Sequence, residues 1–143
     1  MAGSKYLPIY LNDHLAGATA GYELAKRTLG HNRGTPFEPF LEQVAKEIGE
    51  DPVKKIGAWA LERVGRLKLN GSLLGYSPLS RQVEFEGLAL GVTGKLALWR
   101  ALQLVDDERL ARFDLAALEV RAEAQQEILE TRRLEAARIA LEA

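Results

Sequence analysis

Two histidines, twenty carboxylates and no cysteine bound the chemistry open to this chain of 143 residues. The histidines are His14 and His31, and three positions before them stand Leu11 and Thr28. No Glu-x-x-His pair exists, so the ligand motif that builds di-metal carboxylate sites in helical bundles is missing. Without cysteine there is no disulfide, no thiolate metal site and no thiol nucleophile. The serines Ser4, Ser72, Ser77 and Ser80 fall in the tail or at turn and cap positions, with no histidine near them in sequence and no Gly-x-Ser-x-Gly elbow. Gly87, Gly91 and Gly94 do not follow a strand, and no Gly-x-x-x-x-Gly-Lys-Ser/Thr stretch occurs, which removes the nucleotide-binding motifs. No catalytic residue, metal ligand set or cofactor is assigned, and a non-enzyme is expected.

What remains is a polar cluster inside a helical frame. At about 100° per residue, Leu79, Val83, Glu86, Leu90, Ala97, Ala101 and Leu104 share one stripe, while Phe85, Leu88, Val92, Leu96 and Trp99 share the opposite one. A helix wetted on one face needs only one apolar stripe. The pattern predicts a central helix with neighbours on both sides, and makes Glu86 a buried acid unless the phase is off by one position. Buried charge must be compensated. Arg121, Gln125 and Arg132 flank the expected buried side of the last helix (Leu118, Ala122, Leu129, Ala136). His14 lies at the margin of the first helix's stripe, near Tyr10, Gly21 and Ala25. The set Glu86, His14, Arg121 and Gln125, with Tyr22 or Asp13 nearby, is expected either as a structural ion pair or as a small-ligand or metal pocket.

The frame itself is marked by caps and breakers. Pro8 fits the first turn of a helix that begins between Lys5 and Pro8, buries Leu7, Leu11, Ala18, Ala25 and Leu29, and ends before Gly30. Thr35-Pro36-Phe37-Glu38 has the order of a capping box and starts a second helix that stops or bends near Gly49. Asp51-Pro52 starts a third, to about Leu67, and Ser77-Pro78 starts the central one. Asp106 to Ala111 is expected as one short turn, and Asp114 caps a last helix over 114–142, rich in strong helix formers. Residues 67–73 alternate around Asn70-Gly71, a hairpin signal. An isolated ribbon is marginal, so an ordered loop carrying several leucines is expected there. Five glycines inside helices, Gly17, Gly21, Gly87, Gly91 and Gly94, each cost about 1 kcal/mol against alanine. They imply close packing of helix backbones, or space kept for something else.

Four or five antiparallel helices with one long loop resemble the ferritin-like bundle. Leu11-Asn12-Asp13-His14-Leu15-Ala16-Gly17-Ala18 followed by Glu23 is similar to the first helix of small bacterial proteins of that type. The resemblance implies an all-α fold, but the chain departs from the metal-binding members at the missing Glu-x-x-His pairs. Glu23 falls about 120° from the core stripe and should face solvent.

The remaining composition is that of one domain spanning residues 1–143. No basic leader precedes an apolar run, and no uncharged apolar stretch of about 18 residues occurs; a cytoplasmic location and no membrane are expected. Net charge is -1. Residues 53–81 carry Lys54, Lys55, Arg63, Arg66, Lys68 and Arg81 against Glu62 alone, a local +5. With no nucleic-acid motif and few aromatics, this reads as a solvated face. Val120, Ala124, Leu134 and Leu141 form a second, weaker apolar strip on the last helix. Its C-terminal half, about Ile128 to Leu141, is expected to project past the second and third helices, leave Leu134, Ile139 and Leu141 exposed in a monomer, and pair in a homodimer, the surface through which such a protein would act.

Overall fold

The computed structural model describes residues 5–57 and 75–142. Among them the chain forms α1 (Leu7–His31), α2 (Glu38–Glu50), the short α3 (Val53–Gly57), α4 (Pro78–Leu102) and α5 (Leu115–Glu142), with a single 3-10 turn at Glu108–Leu110 and no strand. The expected continuation of α3 to Leu67, the loop at 67–73 and most of the basic run lie outside the described residues.

The helix ends follow the capping chemistry. The Ser77 hydroxyl accepts from the Ser80 amide at 3.1 Å while the Ser80 hydroxyl accepts from the Ser77 amide at 3.2 Å, closing a capping box ahead of Pro78. The Asp114 carboxylate accepts from Ala117 N at 3.0 Å at the start of α5. Two expectations fail here. No capping box closes at Thr35: α2 starts at Glu38 with Phe37 at its N-cap and no side-chain cap, the Thr35 hydroxyl accepting from Phe37 N at 3.3 Å and the Glu38 carboxylate turning to Gly34. Helix α1 runs through Gly30, and the left-handed residue that ends the segment is Gly34, at φ 77°. Its amide donates to the Glu38 carboxylate at 2.9 Å, which holds the turn against the start of α2.

Side-chain contacts set the directions. Arg27 and His31 at the end of α1 meet Glu84 near the start of α4, while Leu7 and Leu11 share a core cluster with Leu98, Trp99 and Leu102, so α1 and α4 are antiparallel. Arg100 with Glu119, Gln126 with Thr93, and Arg133 with Glu86 run α5 antiparallel to α4. Glu47 beside Arg121 and Phe40 beside Arg132 do the same for α2 and α5. The result is an all-helical bundle in which α2 and α4 point the same way and residues 51–77 connect them. Phe85 is its densest point: fully buried, with edge-on contacts to Phe37 at 5.3 Å and Phe40 at 5.4 Å.

Two expectations about packing are corrected. The stripe Phe85, Leu88, Val92, Leu96, Trp99 is buried, as its period implies, but the opposite stripe is not. Leu79, Val83, Leu90 and Leu104 stand exposed, Leu90 by 74%. Helix α4 is a corner helix touching α1 on one side and α5 on the other, so its outer stripe has no neighbour among the described residues. The C-terminal half of α5 leaves Leu134, Ile139 and Leu141 exposed, as expected, but α4 runs beside it. Arg133 reaches Glu86, and Ala136 is buried in the cluster of Phe85, so α4 accompanies α5 along its length.

Candidate functional site

The interior polar cluster forms around Lys95, which the expected site did not include. Its ammonium is 2.6 Å from Asp51 Oδ2 and also donates to Gln125 Oε1. Gln125 in turn donates to Glu47 Oε2 at 3.0 Å, and Arg121 donates to the Glu47 backbone carbonyl at 2.6 Å while standing 3.6 Å from Asp51 Oδ1. Three helices and the residue after α2 therefore meet at one charge-balanced knot: Glu47 on α2, Asp51 just beyond it, Lys95 on α4, Arg121 and Gln125 on α5. Burial lowers the Lys95 pKa more than its acidic neighbours raise it. For Glu47, burial alone raises the pKa, but hydrogen bonds from Gln43 and Gln125 and the charges of Arg121 and Lys95 outweigh it, and the net shift is downward.

Glu86 is not part of this knot. Its side chain is half exposed and its nearest cation is Arg133, at 3.9 Å. The phase that placed it inside belonged to the outer stripe of α4, so Arg121 and Gln125, correctly placed near the interior, compensate Glu47, Asp51 and Lys95 instead. A signal for Lys95 was present in the sequence. It stands seven residues after Leu88, seven before Leu102 and four before Trp99, within the buried stripe, where a lysine must find a partner.

Beside the knot, α1 and α4 part around a cavity of about 670 Å3, within the roughly 300–1,000 Å3 usual for small-molecule sites. Helical glycines hold it open. A methyl group built on Gly17, Gly21, Gly91 or Gly94 would meet nothing within 4 Å, and all four line the cavity. Of the five glycines expected either at tight crossings or as kept space, only Gly87 packs closely, its would-be methyl 2.9 Å from Leu24 Cδ2. The other four keep space. Gly49 adds a close approach that the sequence reading missed, since a methyl there would stand 3.0 Å from the Tyr22 ring.

Leu88, Val92, Leu98 and Val53 form the apolar floor, and Asp13, Gly17, Leu90 and Gly91 the exposed mouth. The polar wall is His14, Tyr22, Asp51 and Lys95. An ammonium has three hydrogens; that of Lys95 uses two, on Asp51 and Gln125. His14 and the Tyr22 hydroxyl make no hydrogen bond among the described residues. Burial lowers the His14 pKa against the raising effect of Asp13, and its ring packs edge-on to Tyr10 at 4.7 Å. His14 and Tyr22 thus share a cavity with Lys95 and Asp51, not with Glu86. No group of three or more His, Asp or Glu side chains suited to a metal ion occurs among the described residues.

A second polar cluster lies at the other end of α1. Fully buried Asn32 donates to Thr28 O at 2.8 Å and to the Tyr76 hydroxyl at 2.9 Å, and accepts from Arg81 Nε at 2.6 Å. His31 faces the Tyr76 ring at 4.4 Å and Glu84 at 3.3 Å. This cluster ties the end of α1 to the start of α4; the buried Thr28 hydroxyl is left without a hydrogen-bond partner among the described residues.

No helix among the described residues is long and apolar enough to cross a membrane. Comparison with family models, with curated proteins and with solved structures finds no match for the chain.

Proposed function

We propose that the protein is a helical-bundle ligand binder that holds a small, mainly apolar molecule between α1 and α4, without catalysing a reaction on it. The observation that carries this reading is the coincidence of four glycines with open space at their Cβ positions and a buried lysine on the same cavity whose ammonium uses two of its three hydrogens, all among the described residues. Helix-interior glycine is disfavoured by about 1 kcal/mol per residue, so four of them lining one cavity point to a requirement for volume. The neutral apolar fluorophore N-phenyl-1-naphthylamine tests it. Binding that is lost on substituting Gly91→Leu or Gly17→Leu, with the melting temperature retained, supports the site; binding unchanged by both substitutions overturns it.

A ferritin-like fold is the companion proposal. Two antiparallel hairpins, α1 with α2 and α4 with α5, joined by one long connection between helices that run the same way, are the arrangement expected of that class. The missing Glu-x-x-His pairs separate it from the metal-binding members.

A second reading, self-association, is favoured by the outer stripe of α4. Leu79, Val83, Leu90 and Leu104 are all more than half exposed on one face, and covering such a stripe with a two-fold partner is the simplest assembly. Light scattering at micromolar concentration then gives twice the 15.8 kDa chain mass, and a monomer removes this reading.

A further inference from the structure

The polar wall of the cavity is already neutral. Lys95 and Arg121 both stand within ion-pair distance of Asp51, and the Glu47 carboxylate joins them through Gln125 while its backbone carbonyl accepts from Arg121. Glu50 adds a carboxylate 3.9 Å from Arg121 on the exposed side, and Asp13 adds another at the mouth. Burial disfavours the charged form of His14 and lowers its pKa against the raising effect of Asp13.

A ligand carboxylate or phosphate that reached Lys95 would pass Asp13 and come to rest beside Asp51, with no cation left over to balance it. A ligand ammonium would meet Lys95 itself. The anion adds an uncompensated charge beside Asp51, and the ammonium, although Asp13 at the mouth balances it, is set against the Lys95 ammonium; desolvation and like-charge repulsion disfavour both. A neutral oxygen avoids both penalties, because it accepts the third ammonium hydrogen and leaves the charge count unchanged.

Resting on the reading of this cavity as a ligand site, we infer that its ligand is an uncharged, lipid-like alcohol or ketone whose oxygen accepts from Lys95 and whose apolar body lies along the glycine-lined walls of α1 and α4. The bare helix surface at Gly17, Gly21, Gly91 and Gly94 gives the body van der Waals contact without competing polar side chains. The exposed Leu90 at the mouth extends the apolar path outward.

The test keeps the tail constant and changes the head group. Titration calorimetry at pH 7.5 compares 1-decanol and 2-decanone with decanoate and decylammonium, on the wild-type chain and on Gly91→Leu and Gly17→Leu. The two neutral compounds are expected to bind at least about tenfold more tightly than either ion, the size of effect that one unfavourably placed charge imposes, and to lose binding in both leucine variants. Decanoate or decylammonium binding as tightly as decanol, but still abolished by the leucines, overturns the neutral-ligand inference and leaves the cavity reading standing. No binding by any of the four, or binding that survives both leucines, overturns the two together.

Discussion

Lys95 of α4 and Asp51 at the end of α2 form an ion pair of 2.6 Å whose side chains are only 12% and 5% exposed. The pair spans the bundle between two helices that run in the same direction, and Gln125 and Arg121 tie it to α5. It fixes one wall of the cavity, so its integrity bears on fold and ligand site alike. Removing one partner leaves the other charge buried. Asp51→Ala is therefore expected to destabilise the fold by about 3 kcal/mol or more, whereas Asp51→Ala combined with Lys95→Met should recover part of the loss. Urea unfolding of the wild type and these two variants checks this. Equal loss in the single and double variants would mean that the two charges are not coupled.

The pH dependence of stability has the same sign at its two ends, rising with pH at both. The folded pKa of Glu47 lies below its ordinary 4.5, so its contribution is complete above that value and disappears as pH falls through the lower folded one. The folded pKa of Lys95 lies below its ordinary 10.5. Between those two values the unfolded chain binds more protons, and stability rises with pH there. Melting curves should show an acid limb that is shallower in Glu47→Gln and an alkaline rise that is absent in Lys95→Met. An acid limb unaltered by Glu47→Gln would remove Glu47 from the knot.

Much of the frame was legible because period and caps are local. Ser77-Pro78, Asp114 and the stripe of Phe85, Val92 and Trp99 gave element starts and a buried face that the structure bears out. The site was less legible for a physical reason. Hydrophobic periodicity marks which residues share a face of a helix but not whether a neighbour covers it, and apolar residues also occupy protein surfaces. The outer stripe of α4 is as apolar as the inner one, so Glu86 was placed inside with Leu79, Val83 and Leu90 when all four face out. The glycines show the same limit. Spacing cannot separate a glycine that admits another helix, as Gly87 admits Leu24, from one that leaves room, as Gly91 does.

Asn32 is the residue on which the far end of the bundle depends. Its amide donates to Thr28 O and to Tyr76, and its carbonyl oxygen accepts from Arg81 at 2.6 Å. Asn32→Ala leaves Arg81 and Thr28 without these partners in a buried setting and should cost about 2–3 kcal/mol. Asn32→Asp gives Arg81 a stronger acceptor, but it sets an acceptor where Nδ2 lies 2.8 Å from the Thr28 carbonyl oxygen. It should therefore destabilise as well. Thermal melts decide this: if the aspartate variant melts above the wild type, the Arg81 contact outweighs the two lost donor bonds, and this account of the cluster is wrong.

The last expectation concerns two glycines one turn apart on α4. A methyl at Gly91 meets nothing within 4 Å, whereas one at Gly87 stands 2.9 Å from Leu24 Cδ2. Gly91→Ala should gain helix propensity with no steric opposition and stabilise by about 0.5–1 kcal/mol. At Gly87 the same gain is set against displacement of the Leu24 side chain, so Gly87→Ala should fall below Gly91→Ala. Gly87→Leu should be destabilising by about 1–3 kcal/mol, the usual cost of overpacking. Gly91→Leu enters open space and should leave the melting temperature near that of the wild type. The ordering of the four melting temperatures is the measurement. A Gly91→Leu variant as unstable as Gly87→Leu would mean that the cavity between α1 and α4 does not exist in solution.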